Sequence, residues 1–264
     1  MRKRFAIALA VIIAVVLTGV YIMPHGYPPW SGVKKQTVFS LPIDMGELAV
    51  RLGSIVSYDR RGDVVLLDDF GDGLSAWDVI GSGLDSEAFL SAEKAESPPY
   101  SIKAISGKTV DCQAGIMTKV PTPVSGLLGL EAHYQTQAAQ LSWRVQLTHY
   151  NGTTARVFGV KYDHPNTQLE YLNSANVWTA FDTDVELWLA SPLFHALKLV
   201  ADPETGKYER LLVDDKTYTL RAYDCYEADS DRSPHTSLVV DVEGDTDASY
   251  TAYLDDVIFT QNEP

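Results

Sequence analysis

The stretch Leu141-Ser142-Trp143-Arg144-Val145-Gln146-Leu147-Thr148 alternates apolar and polar side chains without a break. Successive side chains of a strand point to opposite faces, so a period of two marks a strand with one buried and one wetted face. Asn151-Gly152 then turns the chain into a second apolar stretch, Thr154 to Tyr162. Leu128, Leu130, Ala132 and Tyr134 alternate in the same way with Gly129, Glu131 and His133. Further short runs recur at 64–67, 100–105, 110–117, 169–172, 193–200, 208–213, 218–220, 238–242 and 250–259. Ile55 to Tyr58 adds another, joined to Val64–Leu67 by an expected hairpin turn at Asp59–Gly62. Short strands separated by turn residues predict an all-β antiparallel sandwich or barrel. Nothing resembling a linker or a repeat interrupts them, so residues 54–264 read as one domain.

The N-terminus has a different character. Met1-Arg2-Lys3-Arg4 precedes an uncharged apolar run, Phe5 to Met23. As a helix rising about 1.5 Å per residue, that run nearly spans a hydrocarbon core of about 30 Å. Val20, Tyr21, Ile22 and Met23 are bulky and offer no small-x-small cleavage site. Residues 1–23 therefore read as an uncleaved signal anchor in preference to a cleaved signal peptide. The membrane is an expected partner through residues 5–23, with the remainder extracytoplasmic; cleavage would make it secreted. Residues 24–53 read as a Pro/Gly spacer followed by one short helix, opened by the capping box Asp44-Met45-Gly46-Glu47.

Charge narrows the partners. Arg2, Lys3 and Arg4 lie ahead of the apolar run, so the rest of the chain carries 18 Lys and Arg against 35 Asp and Glu. Such a surface repels polyanions and excludes a nucleic-acid partner. Two cysteines, Cys112 and Cys225, are too few for a disulfide scaffold; one bridge or two buried thiols both fit the sequence.

Catalytic patterns are missing. The chain has no G-x-S-x-G elbow, no H-E-x-x-H and no C-x-x-C. Its histidines are scattered singly. His133 and His149 fall where adjacent strands would set them face to face, but two imidazoles without a third ligand make a poor zinc site. The chain reads as no enzyme, with an unrecognised glycoside hydrolase as the reading that so many carboxylates keep open.

The carboxylates cluster at the ends of the domain. Leu66-Leu67-Asp68-Asp69-Phe70-Gly71-Asp72-Gly73-Leu74-Ser75-Ala76-Trp77 runs from an apolar strand into a glycine-rich acidic curl. Tyr253-Leu254-Asp255-Asp256-Val257-Ile258-Phe259 places an Asp pair inside an apolar strand. One reading is that these Asp residues cap turns. The other is that the first and last strands lie side by side and share a structural Ca²⁺, held by Asp69, Asp72 and Asp256. The two end motifs, D-D-F-x-D-G-L followed by Trp and L-D-D-V-I-F, resemble the ends of jelly-roll carbohydrate-binding modules. In several of those families the first and last strands flank a structural calcium. The stretch from Phe194 through Asp202-Pro203-Glu204-Thr205-Gly206 to Asp215 looks like a hairpin of concanavalin A-like sandwiches. The resemblance implies a jelly-roll β-sandwich that recognises carbohydrate without catalysis.

Aromatic residues are the remaining signal. Sugar rings stack on flat aromatic faces while amides and carboxylates meet their hydroxyls. Trp178 with Asn176, Tyr171 and Tyr150 are the candidate ligand-binding residues; Trp77 and Trp143 sit in apolar alternation and read as core. The expected function is an extracytoplasmic recognition module for carbohydrate or surface glycan. The alternative is a structural subunit of a cell-surface or virion assembly, self-associating through its jelly rolls.

Overall fold

The structure is a computed structural model and describes residues 58–121, 126–191 and 193–264. Sixteen strands follow one another among these residues. They are β1 (Asp63–Asp68), β2 (Asp78–Ser82), β3 (Glu87–Ser91), β4 (Ser101–Ile105), β5 (Gln113–Val120) and β6 (Leu127–Thr136). Next come β7 (Leu141–Tyr150), β8 (Thr154–Asp163), β9 (Gln168–Leu172), β10 (Trp178–Asp182) and β11 (His195–Asp202). The last are β12 (Lys207–Val213), β13 (Lys216–Thr219), β14 (Tyr226–Asp229), β15 (His235–Gly244) and β16 (Thr251–Glu263).

These strands form two eight-stranded sheets. The first runs β13-β12-β11-β6-β16-β4-β3, with β1 also beside β16. The second runs β10-β9-β8-β7-β15-β5-β2, with β14 also beside β8. All pairings are antiparallel. The connections β1–β2, β2–β3, β4–β5, β5–β6, β6–β7, β10–β11, β13–β14 and β15–β16 each cross between sheets, so the strands interleave as a jelly-roll sandwich does. No helix among the described residues is long and apolar enough to cross a membrane. The expected anchor, the linker helix and all but the last residue of the strand expected at Ile55–Tyr58 lie outside the described residues, and Tyr58 itself is in no strand.

Alternation decides which side chains fill the space between the sheets. Leu141, Trp143, Val145 and Leu147 of β7 are fully buried, as are Leu130, Ala132 and Tyr134 of β6. Trp143 stacks on Tyr134 across the sandwich, ring centroids 4.8 Å apart. Such a pair contributes about 0.5–1.5 kcal/mol beyond its burial. Tyr208 of β12 spans the core from the first sheet and its hydroxyl donates to the Leu172 carbonyl in the second, at 2.8 Å. Trp77 is buried and donates its indole N–H to Asp68 Oδ2 at 2.8 Å.

The first and last strands do pair, with Leu67 opposite Ile258 and Asp68 opposite Val257. Along β16, β4 pairs with Thr251–Leu254 and β1 with the stretch from Val257 onward. Between them the chain bulges at Asp255-Asp256, and Asp256 takes a positive φ of 43°.

One expectation is corrected. His133 and His149 do not face each other. β6 and β7 are consecutive in sequence but belong to different sheets, because the turn between them carries the chain across the sandwich. Cys112 and Cys225 are both buried and unbridged.

Candidate functional site

Two polar assemblies stand on the outer faces of the sandwich. The first covers the second sheet. The residues of β7 that alternate with its core positions, Ser142, Arg144, Gln146 and Thr148, face outward. Register places Lys161 and Asp241 on either side of Arg144, and Gly159 and Val239 on either side of Gln146. Arg144 reaches sideways to β15: Nε lies 2.8 Å from Asp241 Oδ1 and Nη1 lies 3.0 Å from Glu243 Oε2. Burial works against the Arg144 charge, but the two carboxylates more than offset it and hold the guanidinium above its ordinary range. Gln113 donates to Glu243 at 3.2 Å. Lys161 pairs with Glu170 at 2.8 Å, and Gln168 donates to the same carboxylate at 2.7 Å. The side chains of this face are therefore locked to one another before any ligand arrives.

Trp178 flanks this network. It opens β10 opposite Leu172, and its half-buried indole lies against Gly159. A Cβ at position 159 would meet Trp178 Cη2 at 2.9 Å, so glycine is what lets the ring approach the sheet this closely. Lys161 Nζ stands 5.4 Å from the ring centroid.

The other sequence-predicted ligand residues are dispersed. Asn176 is exposed in the β9–β10 turn, with a positive φ of 61°. Tyr171 lies on the opposite side of β9 from Leu172, in an aromatic cluster with Tyr223 at 4.2 Å and Tyr208 at 5.7 Å. Tyr150 shares the outer face with Trp178 but at another level, aligned with Ala155 and His235. Four positions along β8 separate those levels, about 13 Å at strand rise. The Tyr150 ring stacks on His235 at 4.4 Å, and the Arg232 guanidinium stands 5.2 Å from it. Sequence reasoning missed Arg144, Asp241, Glu243, Lys161 and Glu170. Their signal was the polar half of the same alternation that marked the strands.

The second assembly sits at the β16 bulge, on the outer face of the first sheet. Asp255 and Asp256 are both fully buried. Asp255 Oδ2 accepts the backbone N–H groups of Glu96 and Ser97, at 2.7 and 3.1 Å. Asp256 Oδ2 accepts the Ser97 hydroxyl at 2.8 Å. His133, opposite Asp255, has Nδ1 2.6 Å from Glu96 Oε2 and Nε2 3.4 Å from Glu131 Oε1. Burial and the adjacent Asp256 charge push Asp255 up to about 7, and burial pushes Asp256 up to about 6 against the pull of His133. Burial opposes protonation of His133, but the Glu131 and Glu96 carboxylates carry it up to about 10.

Of the expected cation ligands, Asp256 lies in a cluster of donors here. Glu96, His133 and Asp256 each bring one donor atom to within 4.8 Å of the others. Asp256 Oδ1 is buried without a hydrogen-bond partner, an orphan that a bound cation would satisfy. Asp69 lies near enough for its charge to raise the Asp256 carboxyl. One of its oxygens caps the Gly71 N–H at 2.9 Å, and Asp68 caps Phe70 at 2.8 Å, so turn capping and proximity to Asp256 coexist in this loop. Asp72 is exposed. Glu96 and His133 were not foreseen, since neither stands in the end motifs.

Two antiparallel sheets in jelly-roll connection, with a polar network on one outer face, define a jelly-roll β-sandwich. No family model matches the chain, and no curated protein matches it. Among solved structures, one similar fold is TmCBM61 in complex with β-1,4-galactotriose: 12% identity, 78% of this chain and 99% of that chain covered, TM-score 0.38. Another is the C-terminal family 22 carbohydrate binding module of Clostridium thermocellum Xyn10B: 12% identity, 77% and 96% covered, TM-score 0.36. A third is endo-β-1,4-glucuronan lyase from the fungus Trichoderma reesei: 10% identity, 75% and 96% covered, TM-score 0.49. These are likenesses of architecture at low identity.

Proposed function

We propose that this chain is a non-catalytic, extracytoplasmic carbohydrate-recognition module that binds glycan across the outer face of its second sheet. The observation that carries this reading is the half-exposed Trp178 indole packed against Gly159 beside the fixed Arg144–Asp241–Glu243 and Lys161–Glu170 pairs. The indole offers an apolar platform to a pyranose face, and the charged pairs offer donors and acceptors whose positions are already set. Such preorganisation lowers the entropic cost of binding. The carboxylates nearest the face are engaged by Arg144, which suits them to hydrogen bonding rather than to the paired acid and base of a glycosidase.

The reading includes a structural cation at the β16 bulge. Asp256, Glu96 and Asp69 supply oxygen donors suited to Ca²⁺, with the His133 imidazole beside them. It also includes membrane display through residues 5–23. Isothermal titration with β-1,4-galactan, xylan and β-1,4-glucuronan tests the central claim. Binding that is lost in Trp178→Ala supports it; silence across a broad glycan panel sinks it.

A further inference from the structure

A separate cavity of about 410 Å³ opens at the end of the sandwich where the β6–β7 turn, the β8–β9 turn and the chain entering β11 meet. Tyr162, His164, Thr167, Glu186 and Trp188 line it. Residues 185–190 form no strand, yet their backbone is fixed at several points. The Val185 N–H donates to the Thr167 carbonyl at 2.9 Å. The Tyr162 hydroxyl donates to the Val185 carbonyl at 2.8 Å and accepts from the Leu187 N–H at 3.2 Å. His195 Nε2 lies 2.9 Å from the Trp188 carbonyl oxygen, while its Nδ1 lies 2.7 Å from Asp214 Oδ2.

The side chain of Trp188 contrasts with its backbone. It is 75% exposed, the most open large hydrophobic among the described residues. An indole left in water on an anchored backbone is a platform whose ordering cost has already been met. Beside it, His164 is only 6% exposed, and its Nε2 is buried without a hydrogen-bond partner. The His164 ring stands edge-on to Tyr162 at 4.3 Å, so the imidazole is held in place. The cavity thus combines one flat apolar surface with the Glu186 carboxylate and the Thr167 hydroxyl. An amphipathic ring bearing several hydroxyls matches that set. A local pocket between turns, rather than a trough across a sheet, suits a chain end.

We propose that this cavity is a second sugar-binding site, distinct from the sheet face, which takes the terminal ring of a glycan. The ring stacks on Trp188, and its hydroxyls meet Glu186 and Thr167. This rests on the reading of the chain as a carbohydrate-recognition module.

The test is a titration of the ¹⁵N-labelled full chain, following the indole N–H resonance of Trp188 as assigned with Trp188→Phe. The probes are β-1,4-galactotriose, β-1,4-xylotriose and a β-1,4-glucuronan trisaccharide, each alongside an equal mass of its polymer. One trisaccharide should move the Trp188 resonance saturably, while the polymer, with few chain ends, moves it little. Glu186→Gln should weaken this response by about ten-fold, and Trp178→Ala should leave it intact. A Trp178 response with Trp188 unmoved overturns the rim site and leaves the sheet-face reading standing. Equal occupancy of the rim by polymer and trisaccharide at equal mass overturns terminal-ring recognition. Silence of every indole towards all probes overturns both.

Discussion

Lys198 Nζ lies 2.7 Å from Glu263 Oε1, and neither side chain reaches solvent. The pair joins β11 to β16 by passing over the intervening β6 at Gly129, where an added Cβ would lie 2.8 Å from Glu263 Oε1 and 3.0 Å from Lys198 Cε. Lys198 also donates to the carbonyls of Asp59 and Arg61 at 3.2 and 3.1 Å, while Glu131 accepts the Tyr58 N–H at 2.7 Å. The segment 58–61 is thereby strapped across the outer face of the first sheet. Removing one partner of a buried pair leaves the other charge poorly compensated. Lys198→Met should lower stability by about 3–5 kcal/mol in urea unfolding. Unchanged stability of the variant would show that the pair is not holding the sheet.

Gly159→Ala is expected to separate binding from folding. The added methyl group pushes against the end of the Trp178 ring, which is free to tilt outward, so the stability cost is small. A displaced indole no longer sits against the sheet beside the fixed polar pairs. Glycan affinity should fall about ten-fold, close to the effect of Trp178→Ala, while the melting temperature barely changes. Unaltered affinity in both variants would remove Trp178 from the binding face.

Acid should weaken the sandwich through His164. Burial, reinforced by the neighbouring His195, pushes its imidazole down to about 4, with Asp163 pulling the other way; Tyr162 and Tyr134 pack on its ring. The folded state therefore binds a proton less readily than the unfolded state. The stability this neutral imidazole contributes is complete above about pH 6.5 and is lost as the pH falls toward 4. The shift corresponds to about 3 kcal/mol. Urea midpoints between pH 7 and pH 4 should drop less steeply in His164→Gln than in the parent chain. Parallel curves would exclude His164 as the source. His195 works in the opposite sense. Burial opposes its charge, but the Asp214 carboxylate and the Trp188 carbonyl raise it, so its contribution fades as pH rises above about 6.5.

The bulge on β16 yields a prediction about metal. A cation bound only by the folded state, at a hundred times its dissociation constant, adds about 2.7 kcal/mol. Millimolar Ca²⁺ should therefore raise the melting temperature relative to EDTA, and Asp256→Ala and Asp69→Ala should abolish the rise. If Zn²⁺ produces the rise and Ca²⁺ does not, with His133→Ala abolishing it, the site prefers a nitrogen donor and the calcium assignment is wrong.

Local pattern made much of the sandwich legible. The alternation in 141–148 and 128–134 gave β7 and β6 with the correct inward residues, and the end motifs foretold the pairing of β1 with β16. What failed was nonlocal. β2, β3, β10 and β14 are four- and five-residue strands without a clear apolar period, and only their neighbours make them strands. His133 and His149 were set face to face because sequence adjacency does not reveal a crossing between sheets. The network around Arg144 depends on the register of β7 with β15, strands separated by most of the domain. Its polar members were visible, but their convergence was not.

β16 is the last of the described strands in sequence, yet it lies inside the first sheet, with β6 along one side and β4 and β1 along the other. β15, just before it, holds the same kind of place in the second sheet, between β7 and β5. A nascent chain emerging N-terminus first therefore exposes two sets of waiting strand edges until these two strands appear. The sandwich closes in a late step rather than strand by strand. During synthesis, the open edges of β6, β7, β5 and β4 are the surfaces that a chaperone must shield or that neighbouring chains would join.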